Sequence, residues 1–151
     1  MSTKTQIDGF LAKYTPEIAR QLRDARQHLR GYLPRGYEMV FDNYNALVFG
    51  YGATDKSTSG IISVAGYPKW TTLFFLKGTQ LDDPNGLLDG AGKTVRSVRL
   101  QPFERLASPE VHLLLLQAVS LAGDAFESAP PLTTVVKTVV EKQRSRKPAA
   151  R

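Results

Sequence analysis

Two runs within residues 37–51 alternate side chains with a period of two, and the connections through residue 75 are short; this constrains the fold more than any other feature of the chain. Tyr37, Met39 and Phe41 alternate with Glu38, Val40 and Asp42, and Leu47, Phe49 and Tyr51 with Ala46, Val48 and Gly50. Such alternation marks strands whose two faces meet different surroundings. Turn-forming runs separate them: Asp42-Asn43, then Thr54-Asp55-Lys56-Ser57-Thr58-Ser59-Gly60, then Gly66-Tyr67-Pro68-Lys69. The pattern predicts strands near 37–42, 46–52, 60–66, 71–77 and 94–100. Short links favour an antiparallel meander, because a parallel neighbour needs a crossover of about a dozen residues.

Helical signals flank this block. Thr15-Pro16-Glu17 and Ser108-Pro109-Glu110 each offer a capping hydroxyl, a proline at the first helical position and a carboxylate near the positive helix end. Ile18, Leu22, Ala25, Leu29 and Leu33 then recur at helical spacing, as do Val111, Leu114, Leu115, Ala118, Val119 and Ala122. A shorter helix before Pro16 would turn Ile7, Phe10, Leu11 and Tyr14 inward. The expected fold class is α+β: an antiparallel five-stranded sheet with helices packed on one face.

With 151 residues the chain is long enough for one core without a disulfide or metal staple. There is no cysteine, which excludes disulfides, thiolate metal sites and cysteine nucleophiles. The polar start Met1-Ser2-Thr3-Lys4-Thr5-Gln6 is not a secretory signal, and no apolar run approaches the ~20 residues of a membrane span. The expectation is a cytoplasmic protein without membrane contact. The net charge of +6 is uneven. From Thr133 onward, Lys137, Lys142, Arg144, Arg146, Lys147 and Arg151 oppose Glu141 alone, leaving residues 1–132 nearly neutral. With Pro130-Pro131 as a break, the organisation reads as one domain over 1–130 and a basic helix or disordered tail over 131–151.

Residues 73–96 run from an apolar strand through a Gly/Asp/Pro loop into a basic strand, the sort of place where a site is built. Gly90-Ala91-Gly92-Lys93-Thr94 invites a phosphate-loop reading, but the first glycine of that motif would fall at Leu87, and the following segment reads as a strand. Asp82, Asp83 and Asp89 lack the spacing of a calcium loop and suit backbone capping. His28 and His112 lie on separate helices without an i+4 partner, so neither forms a helical zinc pair. No serine sits in a nucleophile elbow. Glu38 and Asp42 share one strand face and could flank a pocket. Arg20, Arg23, Gln27 and Arg30 form a basic stripe opposite the apolar side of the second helix, suited to an anionic partner.

The strings Tyr44-Asn45-Ala46-Leu47-Val48-Phe49-Gly50-Tyr51-Gly52, Tyr67-Pro68-Lys69-Trp70, Leu73–Leu76 and Leu81-Asp82-Asp83-Pro84-Asn85-Gly86-Leu87-Leu88-Asp89-Gly90-Ala91-Gly92-Lys93, with Arg96 and Arg99, resemble the YdhG-like family, a bacterial family of unknown function. The likeness runs from about Ile7 to Leu121. It implies a small α+β domain with an antiparallel sheet. Some relatives are linked to iron handling, which would imply a frataxin-like iron chaperone. That role needs an acidic helix face, because iron is a hard cation that takes oxygen ligands. Here Arg20, Arg23, Arg26 and Arg30 outnumber Glu17 and Asp24 on the helix concerned.

The leading expectation is a non-catalytic module that binds a small anionic ligand or a protein partner, with no catalytic residue, metal or cofactor. Its ligand cleft would lie between sheet and helices, edged by Tyr44, Tyr51, Trp70, Lys77, Lys93 and Arg96. The alternative is weak, non-specific nucleic-acid binding through the basic tail.

Overall fold

The computed structural model describes residues 1–149. Three helices, α1 (Thr3–Leu11), α2 (Pro16–Tyr32) and α3 (Pro109–Leu121), pack on one face of an open six-stranded sheet. Each helix starts at the expected kind of cap. Ser2 Oγ accepts from Thr5 N, Thr15 Oγ1 from Ile18 N, and Ser108 Oγ from Val111 N. Leu22, Ala25 and Leu29 of α2 and Val111 and Leu115 of α3 are fully buried, as their spacing requires.

The strands are β1 (Tyr37–Asp42), β2 (Leu47–Gly52), β3 (Gly60–Gly66), β4 (Thr71–Phe75), β5 (Arg96–Leu100) and β6 (Thr133–Val139), in the order β5-β4-β3-β2-β1-β6. The first five form the expected antiparallel meander. Its apolar face carries Val40, Phe49, Val64, Leu73 and Val98 into the core beneath the helices.

The sixth strand corrects the expected fold class in both count and direction. Residues 133–139 form neither a helix nor a disordered tail; β6 pairs with β1 in parallel, Tyr37 opposite Thr133 and Val40 opposite Val136. The direction follows from the path. An odd-numbered meander leaves β5 running like β1, and α3 then carries the chain back along the sheet, supplying the crossover that a parallel neighbour needs. Pro130 therefore does not separate the tail from the domain, since the strand after it completes the sheet. Arg151, counted above in the basic tail, lies outside the described residues.

Two glycines permit the close packing. Gly36 adopts φ +102°, and a Cβ there would run into the Gly52 carbonyl. At Gly66 a Cβ would stand 2.6 Å from Leu22 Cδ1, so the buried Leu22 side chain of α2 would have to shift. Nearby, the Tyr14 hydroxyl donates to Gly66 O at 2.7 Å and accepts from Leu47 N at 3.0 Å, fixing the α1–α2 turn to one end of the sheet.

Candidate functional site: a cationic groove over a buried carboxylate

Glu38 sits on the helix-facing side of β1 with no solvent exposure. A charge in that position needs partners, and five donor contacts converge on its two oxygens. Arg26 of α2 donates from Nε to Oε2 at 3.0 Å and from Nη2 to Oε1 at 2.7 Å. Arg30 Nη2 reaches Oε1 at 3.2 Å. The Tyr51 hydroxyl donates to Oε2 at 2.6 Å, and Thr134 Oγ1 of β6 to Oε1 at 2.8 Å. Burial alone would raise the carboxyl's pKa. The Arg26 hydrogen bonds and charge, with donation from Tyr51 and Thr134, bring it down to about 2. Burial, then the adjacent carboxylate, pushes the Tyr51 hydroxyl well above its ordinary value. Burial opposes the charge on Arg26, yet the hydrogen bond and attraction to Glu38 leave its pKa raised; its guanidinium also lies 4.6 Å from the Phe49 ring centre.

Above this network lies a groove of about 580 Å³ between α1 and α2, closed at one side by Thr134. Its apolar walls are Ile7 and Leu11, and its polar walls are Lys4, Asp8, Arg23, Arg26 and Arg30. Asp8 is bound to Lys4 at 2.9 Å, and that bond holds its pKa below the ordinary carboxylate value, with Arg23 and Arg26 pulling the same way. Arg23 makes no ion pair among the described residues, and Arg30 uses one nitrogen on Glu38. The groove therefore presents guanidinium donors free for an anion, in a hollow of the size that takes small ligands. Glu38, held ionised near neutral pH, fixes the arginines and is not poised to exchange protons.

Asp42, four residues further along β1 on the same face, has a separate clamp. Lys13 Nζ lies 2.6 Å from Oδ2 and Arg146 Nη2 2.9 Å from Oδ1. Arg146 also donates to Asn43 O at 2.6 Å, so the segment after β6 is tied back across the sheet end. Glu38 and Asp42 thus share a face as their spacing predicted, each neutralised from different elements.

The six sequence-predicted ligand residues do not meet in one cleft. Tyr51 lies in the core as the partner of Glu38, so it is no cleft wall. Tyr44 is exposed in the β1–β2 turn, 5.9 Å from the Arg144 guanidinium. Trp70 lies at the same end of the sheet, between Tyr67 and the Arg99 guanidinium, which is 3.8 Å from its ring centre. At the opposite end, Arg96 turns back on its own loop, donating to Gly92 O at 2.7 Å and Val95 O at 2.8 Å. Lys93 is exposed beside it, and Lys77 borders a separate apolar hollow with Leu81 and Leu121.

The basic stripe also divides. Arg20 is occupied by Glu17 at 2.7 Å and Asp24 at 2.8 Å, so Arg23 and Arg30 enter the groove without it. The missed member was Arg26, which stands at i+3 from Arg23 and i−4 from Arg30 and shares their side of the helix. Asp83 caps its loop as expected, accepting from Leu87 N and Leu88 N at 2.9 Å. His28 and His112 are brought to either side of Tyr32, whose hydroxyl lies 2.6 Å from His112 Nδ1. Among the described residues no three His, Cys, Asp or Glu side chains gather as a metal site, and no helix is long and apolar enough to cross a membrane. No family model, curated protein or solved structure matches the chain.

Proposed function

We propose that this chain is a non-catalytic cytoplasmic binding module of the YdhG-like type, and that the α1–α2 groove takes a small anionic ligand. The observation that carries the reading is Arg23, Arg26 and Arg30 lining one 580 Å³ groove, two of them fixed by a buried carboxylate. Fixing a guanidinium before the ligand arrives reduces the ordering cost of binding. The apolar walls Ile7 and Leu11 favour a ligand with a hydrocarbon or ring portion beside its charge. Nucleic-acid binding through the tail has less support, because Arg146 is consumed by Asp42, which leaves Lys137, Lys142, Arg144 and Lys147 as the exposed cations of the tail among the described residues. An iron-chaperone role would need oxygen ligands where this groove offers mainly cations.

Calorimetric titration with inorganic pyrophosphate, citrate and adenosine monophosphate tests the reading. At least one should bind saturably, and Arg23→Ala should weaken it by about tenfold, the loss of one charge-assisted hydrogen bond. Absence of saturable binding by all three at millimolar concentration, or an unaltered Arg23→Ala, would refute it.

A further inference from the structure

We infer that the solvent side of α3 docks a basic amphipathic helix of another protein. A helix of a small domain ordinarily turns one apolar stripe to the core and shows polar residues outside. Here Val111, Leu114, Leu115 and Ala118 fill the inner side, yet Leu113, Leu116 and Leu121 are 57%, 47% and 42% exposed on the outer one. Beside Leu113 and Leu116 lies a hollow of about 260 Å³ walled by Pro84 and Leu87, with Asp82 and Glu110 at its rim. The hollow is pre-formed. Gln117 Nε2 donates to Asp82 O at 2.9 Å and its Oε1 accepts from Asp82 N at 2.8 Å, fixing the loop against the helix. An apolar side chain could enter without rearrangement.

Charge decides the occupant. In a chain of net +6, no lysine or arginine occurs between Arg105 and Lys137, whereas Glu110, Asp124 and Glu127 do. Lys77 shares a hollow with Leu121 at the far end of the helix. Asp82, Asp83 and Glu110 rim the hollow beside Leu113 and Leu116, with no lysine or arginine in its lining, which disfavours an acidic partner and suits leucine-type anchors at i, i+3 or i+4 and i+7 flanked by lysines. A second copy is disfavoured, since a two-fold contact through this face would bring the same acidic rim into the interface twice.

The probe is a fluorescein-labelled helical peptide of about 18 residues, leucines on one face and lysines on the other, read by anisotropy with the full chain. Saturable micromolar binding is expected. It should weaken at least about tenfold for a scrambled peptide, for glutamate in place of lysine, and for the double variant Leu113→Ser/Leu116→Ser. Those leucines are exposed, so an unchanged melting temperature certifies the fold; Glu110 is exposed as well, and Glu110→Lys should weaken binding too. Equal affinity for the lysine and glutamate peptides, or indifference to both variants, overturns the proposal. So does sedimentation of the wild-type chain as a dimer that Leu116→Ser dissociates, because the face would then belong to a second copy.

Discussion

Glu38 gathers more side-chain donors than any other carboxylate among the described residues. Its folded pKa of about 2 lies below the ordinary 4.5, so between those values the unfolded chain binds more protons than the folded one. Its ionisation therefore stabilises the fold fully above about pH 5, and that contribution disappears as pH falls towards 2. At about 1.4 kcal/mol per unit the difference is about 3 kcal/mol. Urea unfolding from pH 6 to pH 2 should show this loss, and Glu38→Gln should flatten the slope across that window. The amide would leave Arg26 and Arg30 beside a neutral group, and removing one partner of a buried pair costs about 3–5 kcal/mol. A Glu38→Gln protein as stable as wild type at pH 7 would show that water solvates the arginines just as well. Tyr51→Phe separates the contributions: it removes one donor, so the acid midpoint should rise while Arg26 stays paired.

At the scale of elements the strands were legible and the last one was not. β1 to β5 fall close to the expected strands because one face of each meets the core; short links join β1 to β4 in turn, whereas β5 is reached across the loop of residues 76–95. Thr134-Val135-Val136-Lys137-Thr138-Val139 has β-branched residues without a polar alternation, so local pattern could not choose between strand and helix. The choice is made by β1, whose outer edge is free, and by Thr134 reaching Glu38, neither of which a local window contains. The ligand residues misled for the same reason. Tyr51, Lys77 and Arg96 are spread over three strands or their ends, and aromatic or basic type does not say which side of the sheet a residue serves. A chain ending at Leu132 loses β6, the Thr134 bond and the Arg146 clamp together. It should unfold at markedly lower urea concentration than the full chain. Arg146→Ala alone should cost about 2 kcal/mol, less than a fully orphaned buried charge, because Lys13 remains on Asp42. If the truncated chain kept the full midpoint, β6 would contribute nothing to the core it borders.

Over the whole molecule the two buried carboxylates act as cross-ties between parts that lie far apart in sequence. Glu38 joins α2, β1, β2 and β6; Asp42 joins β1, the α1–α2 turn and the segment after β6. An edge strand held only by its backbone ladder would open locally at low free energy. One whose two ends are tied to ionised groups in the interior should open only with the rest. Native-state hydrogen exchange distinguishes these cases. The β6 amides that pair with β1 should exchange with a free energy close to that of the β2 and β3 amides. Val140 N, bonded to Asp42 O at 3.0 Å, should follow them. In Arg146→Ala the far end of the strand, near Val139, should lose protection first, while Thr133 and Thr134 keep theirs through Glu38. Uniformly weak protection along β6 in the wild-type chain would mean that the strand is a separable flap, and the groove that Thr134 closes would then open and shut with it.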